Sequence, residues 1–378
     1  LYFGVGTSEP KIREFLVNMG VQISKGEVSD LLIQKQGDFH AESAAVYEAG
    51  LYSSPWQQSD HTETRVNGER QHCQVVCNPA YSSYHTLPKV DRLTALDVLR
   101  QGRKRIFLLN EEAFGYLENV ALSKAAQAVL PKWRSEKVWE ETAFMKRLEK
   151  ALPNLNIQQR TAILGAAAVA AYHAEKGVPI VDTLVCDDAA VFHWLTRAMM
   201  LCWVHDGRAY KKLEPVIALH RCQQEDFLNN YWDYYHQVLA YREKPTAEER
   251  KRLESQFDSL FATQTGYDDL DQRIAKTRAK KTSLLQVLQH PELPLHNNAS
   301  ELAVRQRVRK RDVSFGPRTQ LGLQAWDTFM TLADTARKLG LSFYVYIRDR
   351  VSATNQIPPM DILVTIRARE LNLGWSWG

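Results

Sequence analysis

Three acidic stretches, far apart in the chain, hold the residue types that metal-dependent phosphoryl chemistry needs. Asp60 lies inside the run Trp56 to Val66, Asp187-Asp188 close the run Val178 to Ala189, and Glu301 ends His296-Asn297-Asn298-Ala299-Ser300-Glu301. Two hard cations about 4 Å apart clamp the attacking and leaving oxygens of an in-line displacement, and carboxylates supply the oxygens that hold them. Glu301 is followed by Arg305-Gln306-Arg307-Val308-Arg309-Lys310-Arg311. A helix here sets Glu301, Arg305 and Arg309 on one face, because they repeat every four residues. An acid beside a phosphate-binding surface points to a nucleic-acid enzyme.

Each feature also has an ordinary reading. With Asn298 as N-cap, Asn-x-x-Glu is a variant capping box that needs no function. Arg103-Lys104-Arg105, Lys211-Lys212 and the Arg273 to Lys281 segment could be solvated faces, although the last, with Arg273, Lys276, Lys280 and Lys281, could equally clamp DNA. Trp133 and Trp139 are better explained as core than as base-stacking platforms. His205 stands between a hydrogen-bonded strand end and a residue that positions a metal ligand, a water or a phosphate.

The elements that must position the acids follow from periodicity. Trp56 to Val66, Gln71 to Asn78 and Tyr81 to Thr86, broken by Asn67-Gly68 and Asn78-Pro79, predict a three-stranded antiparallel meander. Val178 to Val185 predicts a buried strand that delivers Asp187 and Asp188 to its C-terminal edge. A helix is expected over Val191 to Leu201, a strand over Met199 to His205, a helix from Asp206, and a further strand over Arg105 to Leu109. Glu111 to Lys176 and Gln223 to His290 carry helical patterns, the second with an apolar stripe of Phe227, Tyr231, Tyr234, Leu253 and Phe257.

The stretches Trp56 to Val66, Cys186 to Phe192, Cys202-Trp203-Val204-His205-Asp206-Gly207-Arg208 and His296 to Gly316 together resemble the transposases of bacterial insertion sequences of the family numbered sixty-six. The last motif, Asn-Asn-x-x-Glu followed by Arg-Lys-Arg and Ser-Phe-Gly, is the most specific. The resemblance implies an α/β fold with a ribonuclease-H-like mixed-sheet core, and an Asp, Asp, Glu triad of Asp60, Asp187 and Glu301 holding two Mg²⁺ or Mn²⁺ ions. Asp188 is the alternative second acid; Asp187 is preferred because it stands five before Phe192, as in the Asp-Asn-Gly-x-x-Phe pattern of related enzymes. The implied activity is cleavage of transposon ends and strand transfer, on double-stranded DNA bearing terminal repeats and on target DNA, by at least a dimer in the bacterial cytoplasm. The competing classes are a catalytically silent DNA-binding descendant and a nuclease that cuts without joining.

Bulk properties fit this frame. The 378 residues carry a net charge of +4, mildly basic, so DNA contacts must come from local clusters. The expected contacts are His205, Arg208, Lys212, Asn297, Asn298, Arg305, Arg309, Lys310 and Arg311. Five cysteines without a CxxC pair give no expectation of zinc and suggest a reducing, cytoplasmic compartment. Residues 1–53 read as an N-terminal helical unit and candidate helix-turn-helix, with Ser24-x-x-Glu27 as a capping box, and the first three residues look like a tag remnant. The core is assigned to 54–110, 178–215 and 296–340, interrupted by helical insertions at 111–177 and 216–295 and followed by a C-terminal helical region at 341–378.

Overall fold

The alternating run from Trp56 to Leu87 folds as its pattern predicts, into β1 (Trp56–Val66), β2 (Glu69–Asn78) and β3 (Tyr81–Leu87), each antiparallel to the next. Asn67 and Gly68 both take positive φ, 50° and 82°, the backbone that a two-residue turn matched to strand twist requires. At the second turn the Asn78 side chain accepts from the Ala80 amide at 2.9 Å. The computed structural model describes residues 1–375.

Two short strands, β4 (Ile106–Phe107) and β5 (Trp139–Glu140), pair only with each other. The strand expected over 105–109 therefore does not join the main sheet; the Leu108 amide donates to Ala167 O of an alanine-rich helix instead. The chain returns to the sheet at β6 (Thr183–Cys186), parallel to β1, and adds β7 (Ala198–Leu201), parallel to β6. The resulting five-stranded mixed sheet has the order β3-β2-β1-β6-β7, and helices make up most of the rest.

Two sequence expectations fail beside β6 and β7. The helix expected over Val191 to Leu201 does not form: Val191 to Arg197 makes turns and bends and Ala198 to Leu201 is β7, with Trp194 at φ 65°. The Arg92 guanidinium takes the carbonyls of His193 and Ala190, so those groups have no need of helical partners. His205 lies not at a strand end but in the helix Trp203–Lys211.

The β3 edge is closed by the helix Gln320–Lys338. Thr335, Thr331 and Asp327 accept the amides of Ser82, Tyr84 and Thr86 at 3.2, 3.1 and 2.8 Å, and Thr335 Oγ1 also donates to Ser82 O. A sheet edge otherwise presents unpaired amides to any passing strand.

The helical segments 111–177 and 216–295 share one continuous hydrophobic core with the sheet. In the second, Tyr231, Tyr234 and Phe257 are fully buried against Trp203 and their rings sit edge-on or tilted, as the apolar stripe predicts. It is several helices, Ala218–Tyr241, Ala247–Leu260 and Asp268–Ala279 among them, rather than one. Trp133 and Trp139 pack against the main core beneath the Arg147 guanidinium. The N-terminal pair Glu9–Asn18 and Lys25–Ile33 forms with the Ser24–Glu27 capping box in place. Tyr2 is buried beneath the Glu301 helix, in contact with Lys310 and Trp326.

A candidate three-carboxylate metal site

The parallel pairing of β1 and β6 places two acids together. Trp56 pairs with Thr183, Gln57 with Leu184 and Gln58 with Val185, and carrying that register on by two residues sets Asp187 beside Asp60. Asp187 follows the last residue of β6, where its side chain accepts from the Ala189 amide at 3.1 Å. Asp60 accepts from the His61 amide at 2.7 Å. Burial pushes the Asp60 carboxyl up to about 6; the His61 amide opposes that, and the charges of Asp187 and Glu301 add to it.

Glu301 arrives on the helix Asn298–Ser314, and Asn297 fixes where that helix begins. Fully buried, Asn297 donates from Nδ2 to Ser59 O at 2.9 Å, beside Asp60, and its amide meets Cys202 Sγ at 3.4 Å. Its Oδ1 accepts from Ser300 Oγ at 2.6 Å. The capping box anticipated at Asn298 is absent: the helix starts at Asn298, and no side chain caps its first turn. Glu301 is therefore free of that ordinary duty. At the far end, Phe315 and Gly316 take φ 58° and 89°, and a Cβ on Gly316 would lie 2.5 Å from Arg65 O. The Ser-Phe-Gly stretch thus lets the chain cross against β1, where Asn67 donates to Pro317 O at 2.9 Å.

Around Glu301 stand His205 Nδ1 at 3.6 Å, Arg208 at 3.7 Å and Arg305 at 3.6 Å. Both Glu301 Oε1 and His205 Nδ1 are buried without a hydrogen-bond partner, an arrangement costly unless something else satisfies them. Cys202, His205 and Glu301 offer donor atoms within 4.8 Å of one another. Burial pushes the Cys202 thiol up, and it already accepts from backbone amides, so a thiolate ligand is disfavoured there. Carboxylate oxygens with one imidazole suit a hard cation of the Mg²⁺ or Mn²⁺ type, and the orphaned Glu301 oxygen fits such an ion.

Asp188 is occupied elsewhere. His193 Nε2 reaches it at 3.1 Å and Lys280 Nζ at 2.5 Å. The His193 hydrogen bond, with Lys280, holds its carboxyl down at about 2. Of the two adjoining acids, Asp187 is the one whose charge is felt by Asp60.

The basic run splits by face. Arg305 and Arg309 point outward with Asn298, and Arg208 and Lys212 are exposed nearby on the chain. Three expected DNA contacts need correction or qualification. Asn297 is buried as the pin described above. Lys310 is 6% exposed, with Nζ on Tyr2 O at 2.7 Å and over the Tyr2 ring; burial pushes it down to about 7. Arg311 is partly committed to Glu63 O and Asp312. In the insertion, Arg273 pairs with Asp206, Lys280 with Asp188 and Lys281 with Asp258, so of the expected clamp only Lys276 is exposed. Sequence reasoning missed Asn297 as a pin and the Cys202-x-x-His205 pair. A Cys and a His one helical turn apart would have been the signal for the latter.

The raised Asp60 carboxyl has a measurable consequence. A carboxyl whose folded pKa lies above its unfolded value costs stability once ionised, so this contribution worsens as pH rises from about 4 through 6. Asp60→Asn is expected to raise the melting temperature of the metal-free protein by about 2–4 °C at pH 7, with the gain fading toward pH 4. Differential scanning fluorimetry across that range checks it; a gain independent of pH would disprove the assignment.

The fold is mixed α/β, with Asp60 on β1, Asp187 just past the end of β6 and Glu301 on a late helix. Residues 166–325 match the family model described as Transposase IS66 family. The chain is 31% identical over 321 residues to "Uncharacterized protein y4jO" of Sinorhizobium fredii (strain NBRC 101917 / NGR234), covering 85% of this chain and 99% of that one. The chain belongs to the IS66 transposase family. No solved structure matches it. No helix among the described residues is long and apolar enough to cross a membrane.

Proposed function

We infer that this protein is an Asp-Asp-Glu DNA transposase with a ribonuclease-H-like core, cutting transposon ends and joining them to target DNA. The observations that carry this reading are the β1–β6 register, which sets Asp187 beside Asp60, and the charges of Asp187 and Glu301 that act on the Asp60 carboxyl. An antiparallel meander followed by two parallel strands, with a helix laid across β1, supports the ribonuclease-H-like assignment.

Asp60, Asp187 and Glu301 would hold two divalent cations, with His205 beside Glu301. The ions, when bound, would supply charge stabilisation to both oxygens of an in-line displacement at phosphorus. Arg305, Arg309, Arg208 and Lys212, with Asn298, would hold the phosphates on either side of the reacting bond. Arg208 and Arg305, which pair with Glu301 in the structure, would turn to phosphate once a cation takes over that role. Cutting both ends of one element calls for at least two copies on the DNA.

The test is incubation with a supercoiled plasmid carrying the terminal repeats that flank the coding sequence in its genome. Nicking that requires Mg²⁺ or Mn²⁺ and stops with chelator, followed by joined products, is expected. Nicking without joining would reduce the reading to a nuclease, and DNA binding without nicking would reduce it to a silent descendant.

A further inference from the structure

Just past the helix that carries His205 and Arg208, Leu213 packs on the core, and the turn beyond it presents apolar side chains to solvent. Past Lys211 and Lys212 the chain runs Leu213-Glu214-Pro215-Val216-Ile217-Ala218-Leu219, and Val216 is 92% exposed, Leu219 63% and Ile217 48%. The tip is held at its base: Gln224 Nε2 donates to the carbonyls of Tyr210 and Leu213, and His220 stacks on Tyr267 at 4.4 Å. A cluster of exposed apolar side chains on a braced turn is the kind of patch interaction sites use, whereas single ones need no explanation.

We propose that Val216 and Ile217 form a wedge that enters a base step of duplex DNA whose phosphates are held by Arg208, Lys211, Lys212 and Arg221. Charge complementarity favours DNA as the occupant: those four cations are exposed and flank the tip, against Glu214 within it and Glu225 and Asp226 one turn beyond. Distance agrees. Arg208 to Lys212 is about 6 Å of helical rise, and four further residues reach at most about 14 Å. The wedge therefore falls within roughly six base-pair steps of a phosphate at Glu301, at about 3.4 Å per step. Apolar wedges that part base steps spend stacking energy to bend or open the duplex. Such opening beside the reacting bond would free the strand end that is to be cut and moved.

The proposal rests on the transposase reading, and its test separates the two. The probes are 30-base-pair duplexes of arbitrary sequence, one fully paired and one with a central two-base mismatch, each with 2-aminopurine at the central step. The intact chain is expected to bind the mismatched duplex roughly tenfold more tightly, because the stacking cost is already spent, and to raise the 2-aminopurine fluorescence. The double variant Val216→Ser/Ile217→Ser should lose both effects while binding the paired duplex within about twofold of the parent, since phosphate contacts dominate non-specific affinity. Binding without fluorescence change in the parent, or an unchanged response in the variant, overturns the wedge and leaves the function reading intact. Failure of the parent to bind either duplex overturns the wedge, while the function reading is decided by the terminal-repeat plasmid. A variant that only shifts sedimentation toward the monomer identifies the tip as a contact between copies and also overturns the wedge.

Discussion

Glu301→Gln should abolish metal-dependent cleavage while leaving DNA binding within a few-fold of the parent. Replacing one carboxylate oxygen by an amide keeps the shape of the side chain but removes the charge that a cation at this position needs. The expected fall in cleavage rate is at least about 10³-fold, or roughly 4 kcal/mol of transition-state stabilisation. Stability should change little, because Glu301 makes no cap and its ion pairs with Arg208, His205 and Arg305 are long, at 3.6–3.7 Å; such pairs contribute about 1 kcal/mol or less. Single-turnover nicking, a binding titration and a melting curve on one preparation separate these terms. A mutant that cuts at the parental rate removes Glu301 from the chemistry.

Arg307→Ala should be the most destabilising change in the basic run, although it removes one of five basic side chains there. Arg307 is 0% exposed, bonded to Asp327 at 3.0 Å and Thr86 Oγ1 at 2.8 Å, with its guanidinium 4.9 Å from the Trp326 ring. Burial already pushes the Asp327 carboxyl up, and Arg307 is the first force opposing that. Alanine leaves the carboxylate buried with only Thr86, a loss of about 3–5 kcal/mol. Denaturant unfolding at pH 7 measures it. The loss should shrink on acidification, as Asp327 takes up a proton and ceases to need a counter-charge. A loss under about 1 kcal/mol would mean that water reaches the pair. Arg309→Ala, on the outer face, is the contrast, with stability nearly unchanged.

These two neighbours show what the sequence could and could not say. The meander was legible because alternation and Asn67-Gly68 are local signals, and the approach of Asp187 to Asp60 follows once β1 and β6 are paired. The helix was legible too, yet not its inward face: Arg307 and Lys310 are covered by Trp326 and Tyr2, residues whose proximity no local pattern encodes. The same holds for the helix expected over Val191 to Leu201, which forms turns over 191–197. Its apolar spacing suits a helix, but Arg92, nearly a hundred positions earlier, satisfies its carbonyls in another shape. Met199 to Val204 is continuously apolar and so reads as a strand ending at His205, a pattern that periodicity cannot distinguish from a strand giving way to a buried helix start.

The closure of β3 by Thr335, Thr331 and Asp327 also sets a length standard. Four residues of helix advance about 6 Å, and two residues of strand about 6.7 Å. The two rulers agree over three rungs and then drift apart, so this match has one best phase and cannot be extended. A slip of β3 by one residue would present Ser83 and His85 to the threonines, facing the wrong way. Because β3 is paired to β2 and β2 to β1, the phase set at Thr331 is handed across the sheet to Asp60. The height at which the first acid stands is thus gauged from a helix more than 250 residues downstream.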